Sequence, residues 1–128
     1  MSGKAEPEPG AGSDFAVLRR IALSLPGVQE GTSYGTPAFR ASGKFFLRMW
    51  EDAETMVLKT DFYERDFLLQ DDPEAFFTTD HYRDYPSVLV RLSRVPPARL
   101  RELVVDAWRR VAPKRALAQF DARAPSAE

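Results

Sequence analysis

Gly31-Thr-Ser-Tyr-Gly-Thr-Pro-Ala-Phe-Arg-Ala-Ser-Gly-Lys-Phe-Phe46 decides how this chain folds. It predicts two short strands, Pro37–Ala41 and Lys44–Trp50, closed into a hairpin by Ser42-Gly43. Side chains along a strand point alternately to opposite faces. Phe45, Leu47 and Met49 therefore share one side, and Lys44, Phe46, Arg48 and Trp50 share the other. The first set is wholly apolar and is expected to face a core. The second mixes cations with aromatic rings and is expected to face outward.

Working outward, Val28–Tyr34 predicts a preceding strand, although Gly31 weakens it. Thr55–Thr60 follows after the tight connection Glu51-Asp52-Ala53, and Ser87–Leu92 follows Tyr85-Pro86 with Val88, Val90 and Leu92 alternating. The same alternation turns Arg40 outward with Ala38, Lys59 with Thr55 and Val57, and Arg91 with Ser87 and Leu89. One sheet face is thus expected to carry Arg40, Lys44, Arg48, Lys59 and Arg91 around Phe46 and Trp50.

Helical spacing takes over elsewhere. Phe15, Leu18, Ile21, Ala22 and Leu25 share one face behind a cap at Ser13 or Asp14, and Pro26-Gly27 ends that helix. Asp61 opens a second helix with Glu64 in a capping-box position, and Asp71-Asp72-Pro73 breaks it. Tyr63 and Phe67 lie one turn apart on it. The last long helix begins near Pro96-Pro97, carries the stripe Leu100, Leu103, Val104, Ala107, Trp108 and Val111, and stops at Pro113. Lys114–Phe120 predicts a short final helix. Strands that follow one another without regular βαβ alternation argue for an α+β fold: a two-layer sandwich, an antiparallel sheet with helices packed on one face and the other face largely open.

At 128 residues a single domain is expected, spanning 13–121 between disordered tails at 1–12 and 122–128. A chain this long buries roughly two-thirds of its surface on folding, enough for a core without disulfides or metals. There is no Cys, which excludes a disulfide framework, a thiolate zinc site and a thiol nucleophile. No apolar run reaches the roughly 18 residues of a membrane span, and the N-terminus lacks the apolar region of a secretory signal. No membrane association and a cytoplasmic location are therefore expected. The formal charge of −1 hides an asymmetry: residues 1–80 carry a net of −6 and residues 81–123 a net of +6. Folding mixes the two halves, so this permits a basic face without requiring one.

Most catalytic constellations are missing their parts. His81 is the only His, within Asp80-His-Tyr-Arg-Asp84, and reads as a hydrogen-bonded structural residue. Asp80, His81 and Asp84 are too few spaced ligands for a metal, and no Gly-x-Ser-x-Gly elbow supplies a nucleophile. Gly43-Lys44 precedes Phe and forms no phosphate loop. In the last long helix, Arg99/Glu102 and Asp106/Arg110 stand at ion-pair spacing, so its arginines read mainly as a solvated face. Neither a cofactor nor a metal is expected.

The ordered motifs Leu25-Pro-Gly-Val28, Gly35-Thr-Pro-Ala-Phe39, Gly43-Lys-Phe-Phe46, His81-Tyr82 through Val90-Arg-Leu92 and Leu100-x-x-Leu103-Val104-x-x-Ala107-Trp108 resemble the MmcQ/YjbR family over about residues 14–113. The resemblance implies a frataxin-like or secretion-chaperone-like α+β sandwich. It also implies DNA binding through two β-hairpin wings, and it brings no catalytic residues. The wings here would be the Pro37–Trp50 hairpin and the Lys44–Thr60 strand pair. Three readings follow. The first is a non-catalytic DNA-binding module using Arg40, Lys44, Phe46, Arg48, Trp50, Lys59 and Arg91. The second uses the same face for a protein partner or a homodimer. The third is a small-molecule site or enzyme pocket near Tyr34, His81, Tyr82 and Tyr85.

Overall fold

Asp14 starts helix α1 (Phe15–Leu23): its carboxylate accepts the Val17 N–H at 3.0 Å, satisfying a donor that the first turn leaves free. Leu18, Ile21 and Ala22 then fall on one buried face. Ser13, the other candidate cap, instead donates its hydroxyl to the Val95 carbonyl at 2.7 Å. The structure is a computed structural model and describes residues 12–123; apart from Gly12, Ala122 and Arg123, the tails expected at 1–12 and 122–128 lie outside the described residues.

Six strands form one antiparallel sheet: β1 (Val28–Ser33), β2 (Thr36–Ala41), β3 (Lys44–Met49), β4 (Thr55–Lys59), β5 (Phe76–Phe77) and β6 (Ser87–Arg91). Their spatial order is β1-β2-β3-β4-β6-β5. Helices α2 (Phe62–Asp71), α3 (Pro97–Arg109) and α4 (Lys114–Arg123) accompany the sheet among the described residues. The result is the expected α+β sandwich, with the helices against one face of the sheet. Phe39, Leu47, Met49, Met56, Leu58, Val88 and Val90 from the sheet share a core with Leu18, Leu100 and Trp108. Trp108 is fully buried, and its indole N–H donates to the Pro26 carbonyl at 3.1 Å, tying α3 to the corner between α1 and β1. The predicted Arg99–Glu102 and Arg110–Asp106 pairs both form, at 3.2 Å. Arg110 also reaches Asp61 at 3.1 Å, the cap of α2, whose carboxylate accepts the Glu64 N–H at 2.7 Å.

Two-residue turns join the first three strands. Ser42-Gly43 closes β2 onto β3 as expected, with φ of 52° and 79°. Tyr34-Gly35 closes β1 onto β2 in the same way, with φ of 54° and 81°. Positive φ at both central residues is what a type I′ hairpin requires. Tyr34 is therefore a turn residue and not the last residue of a strand. Gly31 also acquires a reason: a Cβ there would lie 2.7 Å from the Arg40 guanidinium, which crosses the β1 backbone at this point.

The alternation predicted for β3 breaks at one place. Phe39 faces Leu47 across the hairpin, but the next residue, Arg40, faces Phe45. Phe46 is the extra residue of a β-bulge, where one strand sets two residues against one. Below the bulge the expectation holds: Leu47 and Met49 are buried in the core, while Arg48 faces outward opposite Ala38 and Val57. Above it the two phenylalanines exchange roles. Phe45 stands outward beside Arg40 and is 40% exposed, whereas Phe46 is 1% exposed and packs with the core. Phe46 is therefore no surface residue, contrary to its expected place on the outward face.

Candidate functional site

The outer face of the sheet is not bare. Ala38, Val57 and Leu89 point away from the helices, yet all three are buried. Residues 78–86, between β5 and β6, fold back over this face as a strap and shield part of it. Successive backbone bonds shape the strap, from Tyr82 N–H to Thr79 and from Tyr85 N–H to Tyr82, both 3.0 Å. His81, Tyr82 and Tyr85 cluster within it, with ring centroids 4.6 to 6.3 Å apart, Tyr82 edge to face with both of the others. Two arginines hold it down. Arg65 of α2, nearly buried, donates from Nη1 to the carbonyls of Arg83 at 2.8 Å and Tyr85 at 3.4 Å. Arg48 of β3 donates from Nη2 to the Tyr82 hydroxyl.

Between strap, β3, β4 and the β1–β2 turn lies a cavity of about 700 Å³. Tyr34, Phe45, Trp50, His81 and Tyr85 supply aromatic walls; Arg48 and Lys59 supply its cations. The four residues that the third reading grouped, Tyr34, His81, Tyr82 and Tyr85, all border it. Arg48 is its most constrained member. Its side chain is 13% exposed. Nη1 donates to the Met49 carbonyl at 3.1 Å and to the Thr36 hydroxyl at 3.3 Å, and the guanidinium lies 5.2 Å from the centre of the Tyr34 ring. Its carboxylate neighbour Glu51 is 3.7 Å away and 64% exposed, a loose pairing.

The sequence-predicted residues divide among three places. Arg48, Trp50 and Lys59 meet at the cavity. Arg40 stands beside it, against the Phe45 ring at 5.8 Å. Lys44, paired with the core residue Ala41, is turned by the bulge to the helix side of the sheet and is exposed at the Ser42-Gly43 turn, contrary to its expected outward place. Arg91 lies at the far edge, its guanidinium 4.0 Å over the Phe77 ring and donating to the Glu74 carbonyl at 2.9 Å. Phe77 separates it from Trp50, whose ring meets Phe77 edge-on at 6.0 Å. Phe46 borders the cavity floor from the core side.

The turn after Trp50 is rigid. Asp52 accepts the N–H groups of Glu54 and Thr55, both at 2.9 Å, and the Thr55 hydroxyl at 2.8 Å. Burial opposes ionisation of Asp52, but the bonds from Glu54 and Thr55 outweigh it and hold the pKa below its ordinary 3.8. Sequence reasoning missed Phe45, which the bulge turns outward, and Arg65. A faint signal for Arg65 existed: it sits three residues before Leu68, the buried apolar residue of α2.

The YjbR family model matches residues 23–110, from the end of α1 through α3. The chain belongs to the YjbR family. Among curated relatives, the uncharacterized proteins Mb2600 of Mycobacterium bovis and Rv2570 of Mycobacterium tuberculosis are each 43% identical over 53 residues, 41% of this chain. That match spans 41% of each relative's own length. The crystal structure of Deinococcus radiodurans protein DR2400, which carries the family-model domain DUF419, shares the fold with a TM-score of 0.68 at 20% identity. The superposition covers 91% of this YjbR chain and 92% of that protein. No helix among the described residues is long and apolar enough to cross a membrane.

Proposed function

We propose that this YjbR-family chain is a non-catalytic DNA-binding module whose phosphate contacts come from the outer sheet face. The observation that supports the reading is the placement of Arg40, Lys59 and Arg91 along that face, away from the helix layer, with Lys44 exposed at the adjoining Ser42-Gly43 turn. Arg48 contributes less to a backbone contact than its position in β3 suggests, because it is enclosed and bonded. Phe46 contributes nothing to the surface. The family's two-hairpin architecture is consistent with this use, with the Ser42-Gly43 turn and the Glu51-Asp52-Ala53 connection at the tips of the Pro37–Trp50 and Lys44–Thr60 wings. With a chain charge of −1, affinity must come from this face and not from net attraction.

Four phosphate contacts predict a drop in affinity of about 50- to 150-fold between 50 and 200 mM salt, from a slope of about −0.7 to −0.9 per contact. Fluorescence anisotropy with labelled duplex and single-stranded DNA measures it. Replacing Arg40, Lys44, Lys59 and Arg91 together by Ala should remove most of both the affinity and the salt slope. Absence of binding at 50 mM salt, or an affinity indifferent to salt, refutes the reading.

A further inference from the structure

We infer that the cavity beneath the strap is a receptor for one planar aromatic group bearing an anionic substituent, the chemistry of a nucleoside monophosphate. This inference stands apart from the DNA reading, since it needs a site for a single unit and not a track for a polyanion.

Shape and size come first. A volume of about 700 Å³ falls within the range of small-molecule sites, roughly 300–1,000 Å³. Among the described residues seven large apolar or aromatic side chains are exposed, and three of them, Tyr34, Phe45 and Tyr85, converge on this one cavity. Exposed rings scattered singly need no explanation, but rings gathered around a concave site form a surface on which a flat ligand can stack. Trp50 and His81 add two further ring faces on the same walls.

Charge then selects the ligand. Arg48 and Lys59 face the cavity against the single carboxylate of Glu51. A largely buried guanidinium needs compensation, and Arg48 finds mostly neutral oxygens: a phenol, a hydroxyl and a carbonyl. These bonds engage three of the five N–H donors of a guanidinium, which leaves two for a further acceptor. Glu51 lies 3.7 Å from Nη1, whose two hydrogens are already engaged, and takes neither. A phosphate or carboxylate oxygen entering the cavity meets a fixed cation with unused donors, the arrangement that favours bidentate recognition.

The β1–β2 turn adds a further ring. The type I′ turn sets Tyr34 at φ 54°, 86% exposed, and holds its ring over Arg48 at the rim of the cavity.

The test compares AMP with its two halves, adenosine and inorganic phosphate, on the full chain, following the Trp50 indole resonance and calorimetric heats. AMP should bind at least about tenfold more tightly than either half. Arg48→Met should abolish the advantage of AMP over adenosine, the two binding alike in that variant. Should Arg48→Met fail to fold, Lys59→Gln serves, since Lys59 is exposed and should selectively weaken AMP by about three- to tenfold. No AMP binding at about 5 mM, or equal affinities for AMP and adenosine, overturns the inference. A single-stranded oligonucleotide that competes with AMP identifies the ligand as a nucleotide unit within a strand; AMP binding without such competition identifies a free nucleotide. DNA binding without AMP binding sinks this inference alone, and AMP binding without DNA binding sinks the phosphate-track reading alone.

Discussion

Replacing Phe46 by Ala should unfold this protein far more readily than replacing Phe45, and the order of the two is the sharpest test of the bulge in β3. Phe46 is 1% exposed and packs in the core. Truncating a core phenylalanine removes its transfer energy and leaves a cavity, for a loss of about 3–5 kcal/mol. Phe45 is 40% exposed, and its nearest identified partner is the Arg40 guanidinium at 5.8 Å. An exposed cation–π contact is worth roughly 0.5–1 kcal/mol. Phe45→Ala should therefore cost about 1 kcal/mol. Urea unfolding reads the difference. With a slope of about 1.5–2 kcal/mol per molar, Phe46→Ala moves the midpoint down by roughly 2–3 M and Phe45→Ala by about 0.5 M. Native stability is only about 5–15 kcal/mol, so Phe46→Leu offers a milder version of the same comparison if the alanine variant is unfolded at the outset. An uninterrupted strand predicts the reverse, with Phe45 the costly position. A larger midpoint shift for Phe45→Ala would show that β3 alternates without a bulge, and Phe45 would lose its place on the cavity wall.

Two other outcomes follow from the fold. Trp108→Phe removes the indole N–H and strands the buried Pro26 carbonyl, for a loss of about 1–3 kcal/mol, seen as a fall in Tm of roughly 5–12 °C; an unchanged Tm would mean that α3 is not anchored at this corner. Asp52 and Asp61 have pKa values lowered in the fold, Asp52 as described, Asp61 by the Glu64 N–H first and then by Arg110. A depressed folded-state pKa gives stability that is present above the unfolded value of 3.8 and is lost as pH falls through the lower folded value. Urea midpoints should therefore hold steady from neutral pH to about pH 5 as far as these groups are concerned, and fall below about pH 4. The fall should shrink in Asp52→Asn, and an acid limb identical to the parent's would remove Asp52 from the account.

Helices and hairpin polarity were legible because their signals are local. Asp14 and Asp61 cap the helices they precede, and the stripe from Leu100 to Trp108 buries as its spacing predicts. Leu47, Arg48 and Met49 take the sides that alternation assigns them. What escaped depends on partners far away in sequence. A bulge is a count of two residues against one, and nothing within β3 reveals that Arg40 will sit opposite Phe45. Tyr34 was hidden for a different reason: aromatic residues favour strands, and its left-handed turn conformation runs against that preference. Phe76–Phe77, a two-residue edge strand after Asp71-Asp72-Pro73, is too short to produce any period. The third reading placed Tyr34, His81, Tyr82 and Tyr85 around one pocket, and all four border the cavity. That Phe45 joins them could not be seen, because it depends on the bulge, and the fastening of the strap by Arg48 and Arg65 involves partners far away in sequence.

Those two arginines also explain why the cations of the outer face do not act as one set. Arg65 ends on carbonyls and Arg48 on a phenol, so each fastens the strap through neutral oxygens, with only loose carboxylate neighbours, Asp66 at 3.5 Å and Glu51 at 3.7 Å. A lysine could supply the charge but not the planar fork that reaches several acceptors at once. Arg48 is thus preorganised: its direction is set before any ligand arrives, and it cannot swing out to follow a phosphate backbone. Arg40, Lys44 and Lys59 have the opposite character, with more freedom and fewer fixed partners. A long polyanion would draw on the second group, with a strong dependence on salt. A small anion would draw on Arg48, with a weaker one, because a partly buried charge is less screened. The salt dependence of each ligand therefore reports which cations it uses, and a small-anion affinity as salt-sensitive as that of DNA would mean that Arg48 is not the residue receiving it.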